Sequence, residues 1–354
     1  MNSTDIDSEE TFRSIDRSGM IKSIISLPFQ LEKGWEIGIG KPGISSLSNP
    51  RSFVISGMGG SAIGGDIFRD IAGQLTDFDV ITNRNYSLPR NVGREALHIA
   101  ISYSGNTEET VSSLKDAIGR KIPTVSISSG GEVERISAEN GIMHYKIPGG
   151  QQPRAAVGFM LSCIIAIADR LSVYDFRPLM MDAIQGVREH IAAMSPEVPS
   201  EKNEAKKLAK WLSGFTPLVV TTPGVYSIGE RMKTQFNENS KKFAWLMVLP
   251  ELNHNDWIPL FEDPTVTSYR MVLLTEADMN PMMRRRIGVV TDLLRRRMEM
   301  KTLTCSGKNL IAGYIGTMAV GDMASYYLSV LEGRDPSPVA PIEELKREIA
   351  SRPL

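Results

Sequence analysis

Two short loops carry the residues best suited to hold an anion. The apolar run FVIS passes into GMGGSAIGGDI, residues 57–67, and a later apolar run ends in SYSGNT, residues 102–107. Gly57, Gly59 and Gly60 let backbone N–H groups come close to a ligand, and Ser61 adds a hydroxyl where the next helix should begin. Ser102, Ser104, Asn106 and Thr107 supply further neutral groups in the second loop. Neither loop contains Lys or Arg, and no Lys follows in Walker spacing. A phosphate monoester therefore suits them better than a Mg²⁺-bound triphosphate. Gly57, Gly59 and Ala62 also satisfy the loose GxGxxG/A fingerprint, with Asp77 or Asp79 near the spacing of a ribose-binding acid, so a nicotinamide-dependent enzyme is a competing reading. Each loop alone has the composition of an ordinary turn. Two of them at strand ends of one sheet favour phosphate.

Groups able to move protons or stabilise charge lie elsewhere. His254, in PELNHNDW, follows an apolar strand and is flanked by Asn253 and Asn255; a histidine there suits proton transfer near neutral pH. Glu238 sits between Asn237 and Asn239 just before that strand, and on its own reads as a surface-helix glutamate. Arg154 opens a helix behind GGQQP, where a cation opposes the helix dipole, so it needs a reason other than helix stability; the plain reading is a solvated arginine reaching back to a carboxylate. Lys346, in EELKRE, looks like ordinary i,i+4 charge pairing. His98 falls inside the apolar run ALHIAIS and reads as core, while His144 and His190 have no chemical neighbours in the sequence. No pair of histidines has metal-ligand spacing, and no metal site is expected.

The elements that must position these residues alternate in type. FVISG, DVITN, HIAISYSG, TVSISSG and HYKIPGG read as strands, with amphipathic stretches such as Glu108 to Gly119 between several of them. That alternation implies a parallel sheet covered on both faces. After an apolar helix near Ala155 to Leu171 comes the polar passage AAMSPEVPSEKNEA, and then the rhythm restarts with PLVVTTPG, KKFAWLMVLPE, SYRMVLLTE and EMKTLTCSG, followed by a long helix from Leu310 to Leu331. The expected architecture is α/β, with two doubly wound units, each a mostly parallel sheet flanked by helices, and a helical C-terminal tail. The divisions are an N-terminal helical segment at 1–45, a first domain at 46–190, a second at 200–333 and the tail at 334–354.

Bulk properties exclude several classes. Among 354 residues, 40 Lys plus Arg face 41 Asp plus Glu, so no overall field favours nucleic acid or an anionic membrane. The two cysteines, Cys163 and Cys305, have no paired spacing, which fits a reducing cytoplasm. The acidic, polar N-terminus is unlike a signal peptide, no apolar run is long enough to span a membrane, and the sequons at Asn2 and Asn85 then carry no meaning. The RRRIGVVTDLLRRR stretch places two Arg triplets on a helix, but Asp292 between them and the lack of interleaved aromatics favour a solvated face or a subunit contact over nucleic acid.

GMGGS, SYSGNTEE, PGGQQPRAA and ELNHN, in this order and at these separations, resemble the bifunctional phosphoglucose/phosphomannose isomerases of the SIS-domain superfamily. The similarity runs from about residue 50 to the tail. It implies an aldose–ketose isomerase that interconverts glucose 6-phosphate or mannose 6-phosphate with fructose 6-phosphate, without metal or organic cofactor. Such chemistry needs a ring-opening acid/base, a base acting between C1 and C2, and positive charge near the enediolate oxygens. The resemblance assigns the base to Glu238, ring opening to His254, enediolate stabilisation to Arg154, and a contact near the ring oxygen or C1 to Lys346. The phosphate would rest on Gly59, Gly60, Ser61, Ser102, Ser104 and Thr107. It also implies a homodimer whose active site includes a histidine from the neighbouring subunit, and leaves open whether His254 acts in cis or in trans. A non-catalytic SIS-type sugar-phosphate sensor is the alternative that keeps the phosphate loops and leaves Glu238 and His254 without a task.

Overall fold

The computed structural model describes residues 5–43 and 49–352; the sequon at Asn2 and the extreme ends of the expected N-terminal and C-terminal segments lie outside that range. Three helices come first, α1 (Glu9–Ile15), α2 (Met20–Ile25) and α3 (Leu27–Gly40). Then follow β1 (Ser52–Ser56), α4 (Gly59–Leu75), β2 (Asp79–Asn83), β3 (Ala96–Ser102), α5 (Glu108–Gly119), β4 (Thr124–Ser128), α6 (Gly131–Glu139), β5 (Met143–Lys146) and α7 (Val157–Arg170). The second half has α8 (Arg177–Ala193), α9 (Glu204–Leu212), β6 (Thr216–Thr221), α10 (Tyr226–Glu238), β7 (Trp245–Val248), α11 (Trp257–Glu262), β8 (Tyr269–Glu276), α12 (Pro281–Leu294), β9 (Met300–Cys305), α13 (Leu310–Leu331) and α14 (Ala340–Ser351). Every strand expected from the sequence forms.

The first sheet has the order β2-β1-β3-β4-β5 and the second β7-β6-β8-β9, with all pairings parallel. Both therefore reverse direction beside their first strand, between β1 and β3 in one and between β6 and β8 in the other. Such a switch point opens a crevice at the strands' carboxyl ends. Alternation along the strands divides the apolar contacts by face. In β3, Leu97, Ile99 and Ile101 join the main core with α4 and α7, while Ala100 joins Leu114 of α5 and Val133 and Ile136 of α6. In β6, Val219 faces the same main core, and Leu218 and Val220 face α11 and α12. The main core lies between the two sheets and is filled by α4, α7, α10 and α13.

α13 is buried from Gly313 to Val330, as its predominantly apolar sequence requires. α7 is likewise buried from Val157 to Ala168, and no helix among the described residues is long and apolar enough to cross a membrane. Cys163 and Cys305 are buried free thiols. One expectation changes: α12 ends at Leu294, so only the first Arg triplet, 284–286, lies on the helix, and the second follows it.

Gly60 fixes how the first sheet's leading helix meets the next layer. A Cβ there would lie 2.8 Å from the N and Cα atoms of Arg154, so only glycine lets the start of α4 touch that backbone. Gly60→Ala should cost about 1–3 kcal/mol by overpacking. Gly73→Ala, in the same helix with nothing within 4 Å of the added carbon, should be neutral or stabilising by up to about 1 kcal/mol. Urea unfolding midpoints of the two variants test this contrast, and equal midpoints would contradict it.

Candidate active site

The two neutral loops meet at the switch point of the first sheet. β1 and β3 are adjacent and in register, Ser56 opposite Ala100, so GMGGS and SYSGNT emerge side by side from their carboxyl ends. Helix α4 starts at Gly59, in a left-handed conformation (φ 49°) with open space around its α-carbon, and α5 starts behind Thr107 as its N-cap. Two helix N-termini thus face one crevice, and their unpaired N–H groups suit an anion.

The hydroxyls differ in role. Ser61 is nearly buried, and its Oγ accepts a hydrogen bond from the Tyr103 N–H at 3.0 Å, tying one loop to the other. Ser102 Oγ and Thr107 Oγ1 lie 2.9 Å apart, and Ser102 is fully buried. Ser104 is exposed and accepts from the Asn106 N–H at 3.3 Å. Ser104 and Thr107 therefore present the accessible hydroxyls, while Ser61 and Ser102 also hold the loops in shape.

Tyr103 links this crevice to the charged groups. Its phenolic oxygen accepts from the Gln151 N–H at 3.0 Å, at the head of the GGQQP turn. A 3₁₀ turn, Pro153–Ala155, then buries Arg154 to 3% exposure, so the solvated reading of this arginine does not hold. Its Nε donates to Asn239 Oδ1 at 2.7 Å, its Nη2 to the carbonyls of Pro336 at 2.8 Å and Ser337 at 3.2 Å, and its Nη1 pairs with Glu238 Oε2 at 3.5 Å. Burial pushes the guanidinium's pKa down, Glu238 pulls it up and neighbouring Arg231 pushes it down again; an arginine stays charged even so.

Glu238 is the last residue of α10, with its side chain 30% exposed toward a cleft shared with Gly59, Gly60, Arg84, Arg154 and Gln235. Arg154, Glu238 and the Gly59–Gly60 loop thus line one cleft. The other two assigned residues do not join them within the chain. His254 is exposed, just after a 3₁₀ turn at Glu251–Asn253, and Lys346 is exposed on α14; neither lines the cleft.

The remaining histidines are explained by packing. His98 is fully buried with Nε2 2.9 Å from Ser56 Oγ, and desolvation drops its pKa to about 3, so it is a neutral core residue. His144 and His190 are not without partners after all: His144 Nδ1 lies 2.9 Å from Ser126 Oγ, and His190 pairs with Glu204. Among the described residues no group of three or more His, Cys, Asp or Glu side chains could hold a metal ion.

The dinucleotide reading fails on geometry. Asp79 opens β2 opposite Ser52, at the end of the sheet away from the glycine loop, and Asp77 precedes it. The position beside the loop is instead taken by Asn83 and Arg84, the latter paired with buried Asp66. A ribose-binding acid belongs at the carboxyl end of β2, and the sequence spacing alone did not reveal which end either aspartate would occupy.

Several supporting residues escaped the sequence reading. Arg231 and Asp322 form a buried ion pair at 2.6 Å, and the Arg231 Nη2 also donates to the Arg154 carbonyl at 2.9 Å. Burial raises the Asp322 pKa and Arg231 opposes the rise. Asn239 Nδ2 donates to Ser325 Oγ at 2.9 Å, fixing the amide that receives Arg154. A lone aspartate in the otherwise apolar run of α13 was the available signal for Asp322.

Comparisons with known proteins show the family of the chain. Residues 201–349 match the model of the bacterial phospho-glucose isomerase C-terminal SIS domain. A bifunctional phosphoglucose/phosphomannose isomerase from Caldicellulosiruptor bescii is 32% identical over 335 residues, covering 94% of this chain and 99% of that protein. This chain belongs to that family. A second member, from Aquifex aeolicus, is 32% identical over 305 residues, covering 84% and 90% of the two chains. At the level of fold alone, the structure of a glucose-6-phosphate isomerase-like protein from Thermus thermophilus aligns with a TM-score of 0.63 at 18% identity, over 95% of this chain and 98% of that one.

Because Asp322 neutralises a buried arginine, Asp322→Ala should strand Arg231 and cost about 3–5 kcal/mol. Chemical denaturation measures the loss; a change below about 1 kcal/mol would mean that the pair is not a unit of the fold.

Proposed function

We propose that the chain is a sugar-phosphate isomerase that interconverts glucose 6-phosphate and mannose 6-phosphate with fructose 6-phosphate. The observation that carries the reading is the Arg154–Glu238 pair in the cleft beside the Gly59–Gly60 loop. The phosphate is a handle: it binds at the starts of α4 and α5, through backbone N–H groups of Gly59 and Gly60 and the hydroxyls of Ser61, Ser102, Ser104 and Thr107. The sugar then extends toward Arg154 and Glu238.

His254 opens the ring by giving a proton to the ring oxygen as the C1 hydroxyl gives one to solvent water, from which the imidazole is reprotonated. The Glu238 carboxylate takes the proton from C2 of the open aldose, the C–H electron pair forms the C1=C2 bond, and the carbonyl oxygen gains the negative charge. Arg154 stabilises that enediolate. The O2 hydroxyl proton passes to O1 within the enediolate, Glu238 returns its proton to C1, and the charge now on O2 collapses to a carbonyl at C2, which leaves the ketose. The enzyme ends the cycle in its starting protonation state, so the reaction calls for no redox partner, metal or organic cofactor.

His254 works in trans, in a cytoplasmic homodimer. Its exposure and its absence from the cleft of its own chain support this, as does the bare apolar stripe of α14, where Ile342, Leu345 and Ile349 are 42%, 59% and 53% exposed. In this reading the neighbouring copy supplies the histidine to the cleft, and Lys346 of α14 contacts the sugar near C1. The working division of the chain is an SIS-type unit at 46–190, a second at 200–333 and the tail helix at 334–354.

With EDTA present, purified protein given fructose 6-phosphate should form both aldose phosphates; absence of both would sink the proposal. Glu238→Gln should lower kcat about a hundred- to ten-thousand-fold while an aldonate phosphate analogue still binds. Mixing inactive Glu238→Gln with inactive His254→Ala should restore part of the activity, because a hybrid dimer holds one intact site. A mixture as inactive as its parents would place His254 in cis.

A further inference from the structure

We infer that Lys241 is a positioning residue for this reaction, clamping the Pro336–Pro338 segment so that Arg154 and Glu238 keep their geometry. The inference rests on the isomerase reading above. Lys241 lies three residues beyond Glu238, and its ammonium donates to the carbonyls of Glu238 at 2.5 Å, Pro336 at 3.0 Å and Pro338 at 2.7 Å. An ammonium has three donors, and all three are used. The Pro336 carbonyl also accepts from Arg154 Nη2 at 2.8 Å, so one backbone oxygen bridges the two cations. The segment is bound from the other side as well, since Arg334 Nη1 donates to the Lys241 carbonyl at 2.7 Å.

The backbone gives independent support. Lys241 has φ 55°, a left-handed conformation that favours glycine and costs an L side chain roughly 1–2 kcal/mol. Glycine would serve a simple chain reversal there better, so the lysine side chain has a function that offsets the strain. α14, with Lys346, begins directly after the clamped segment.

The clamp depends on charge, because a neutral amine has one donor fewer. Burial, and secondarily the positive charge of Arg154, lower the Lys241 pKa to about 8; Glu238 and Asp335 oppose the shift. Arg334 is the further charged group on the segment facing this turn. The clamp should therefore be complete below pH 8 and lose a donor above it. The folded-state pKa lies below the unfolded lysine value, so the unfolded chain binds more protons between them and stability rises across that window. Loss of activity above pH 8 would then not be unfolding.

The test compares Lys241→Gly, which relieves the strained backbone, with Lys241→Arg, which keeps a charge throughout the range. In Lys241→Gly, kcat for fructose 6-phosphate should fall about tenfold or more with KM within about twofold, at an unfolding midpoint no lower than wild type. Lys241→Arg should retain more activity than the glycine variant and lose the alkaline limb near pH 8. A glycine variant with wild-type kcat, or an arginine variant with the same alkaline limb, overturns the inference. Amide exchange of residues 335–339, faster in Lys241→Gly, gives a readout independent of turnover. If the wild type proves inactive on sugar phosphates, the isomerase reading fails, while unchanged exchange would overturn the clamp itself.

Discussion

The structure depends on burying one guanidinium. Arg154 stands just ahead of α7, where a cation faces the positive end of a helix dipole, and Glu238 ends α10, where an anion faces the negative end. Each charge is unfavourable in its own helix, and the two compensate one another across 3.5 Å. Their contact joins the first sheet's last connection to the second sheet's first helix. Whatever brings them together must also bring the two halves of the chain together.

Desolvating Arg154 would cost several kcal/mol if its donors were left unpaired. The fold supplies acceptors from two distant places: Glu238 and Asn239 at the end of α10, and the Pro336 and Ser337 carbonyls after α13. The second tier of polar groups serves the same end. Arg231 and Asp322 neutralise one another inside the helical layer while Arg231 also binds the Arg154 carbonyl, and Gly60 allows α4 to close on the Arg154 backbone. The loops after β1 and β3 are therefore fixed relative to the charged pair by hydrogen bonds and close packing rather than by a hinge. A site held this way meets its ligand already organised, which favours orientation of the reacting carbon over adaptation to different ligands.

The electrostatics of the site separate into two zones. The zone at the starts of α4 and α5 offers backbone N–H groups and hydroxyls, with no cation from its own loops, so the phosphate handle proposed above would be recognised by shape and helix ends. The cleft beside it has fixed charge of both signs, one arginine nearly dry and one carboxylate partly open to the cleft. A dry cation stabilises developing negative charge more strongly than a solvated one, and a carboxylate open to the cleft can reach a proton on the substrate. The exposed apolar face of α14 and the exposed His254 lie outside both zones.

The sequence by itself determined the strands, the helices between them and the two loops at the ends of β1 and β3. Those features follow from local periodicity and from the conformational freedom of glycine and small polar residues, which neighbours in the chain settle. It also marked Arg154 as out of place, because a cation before a helix is a local electrostatic conflict. Only the tertiary structure decided that Arg154 is buried and not solvated, that Glu238 rather than another glutamate is its partner, and that Asp79 opens β2 at the end away from the glycine loop. It alone revealed Asn239, Arg231 and Lys241 as supports. Burial and pairing of charge are set by groups tens to hundreds of residues apart, whose energies depend on distance and on excluded water, and neither quantity is carried by a linear string.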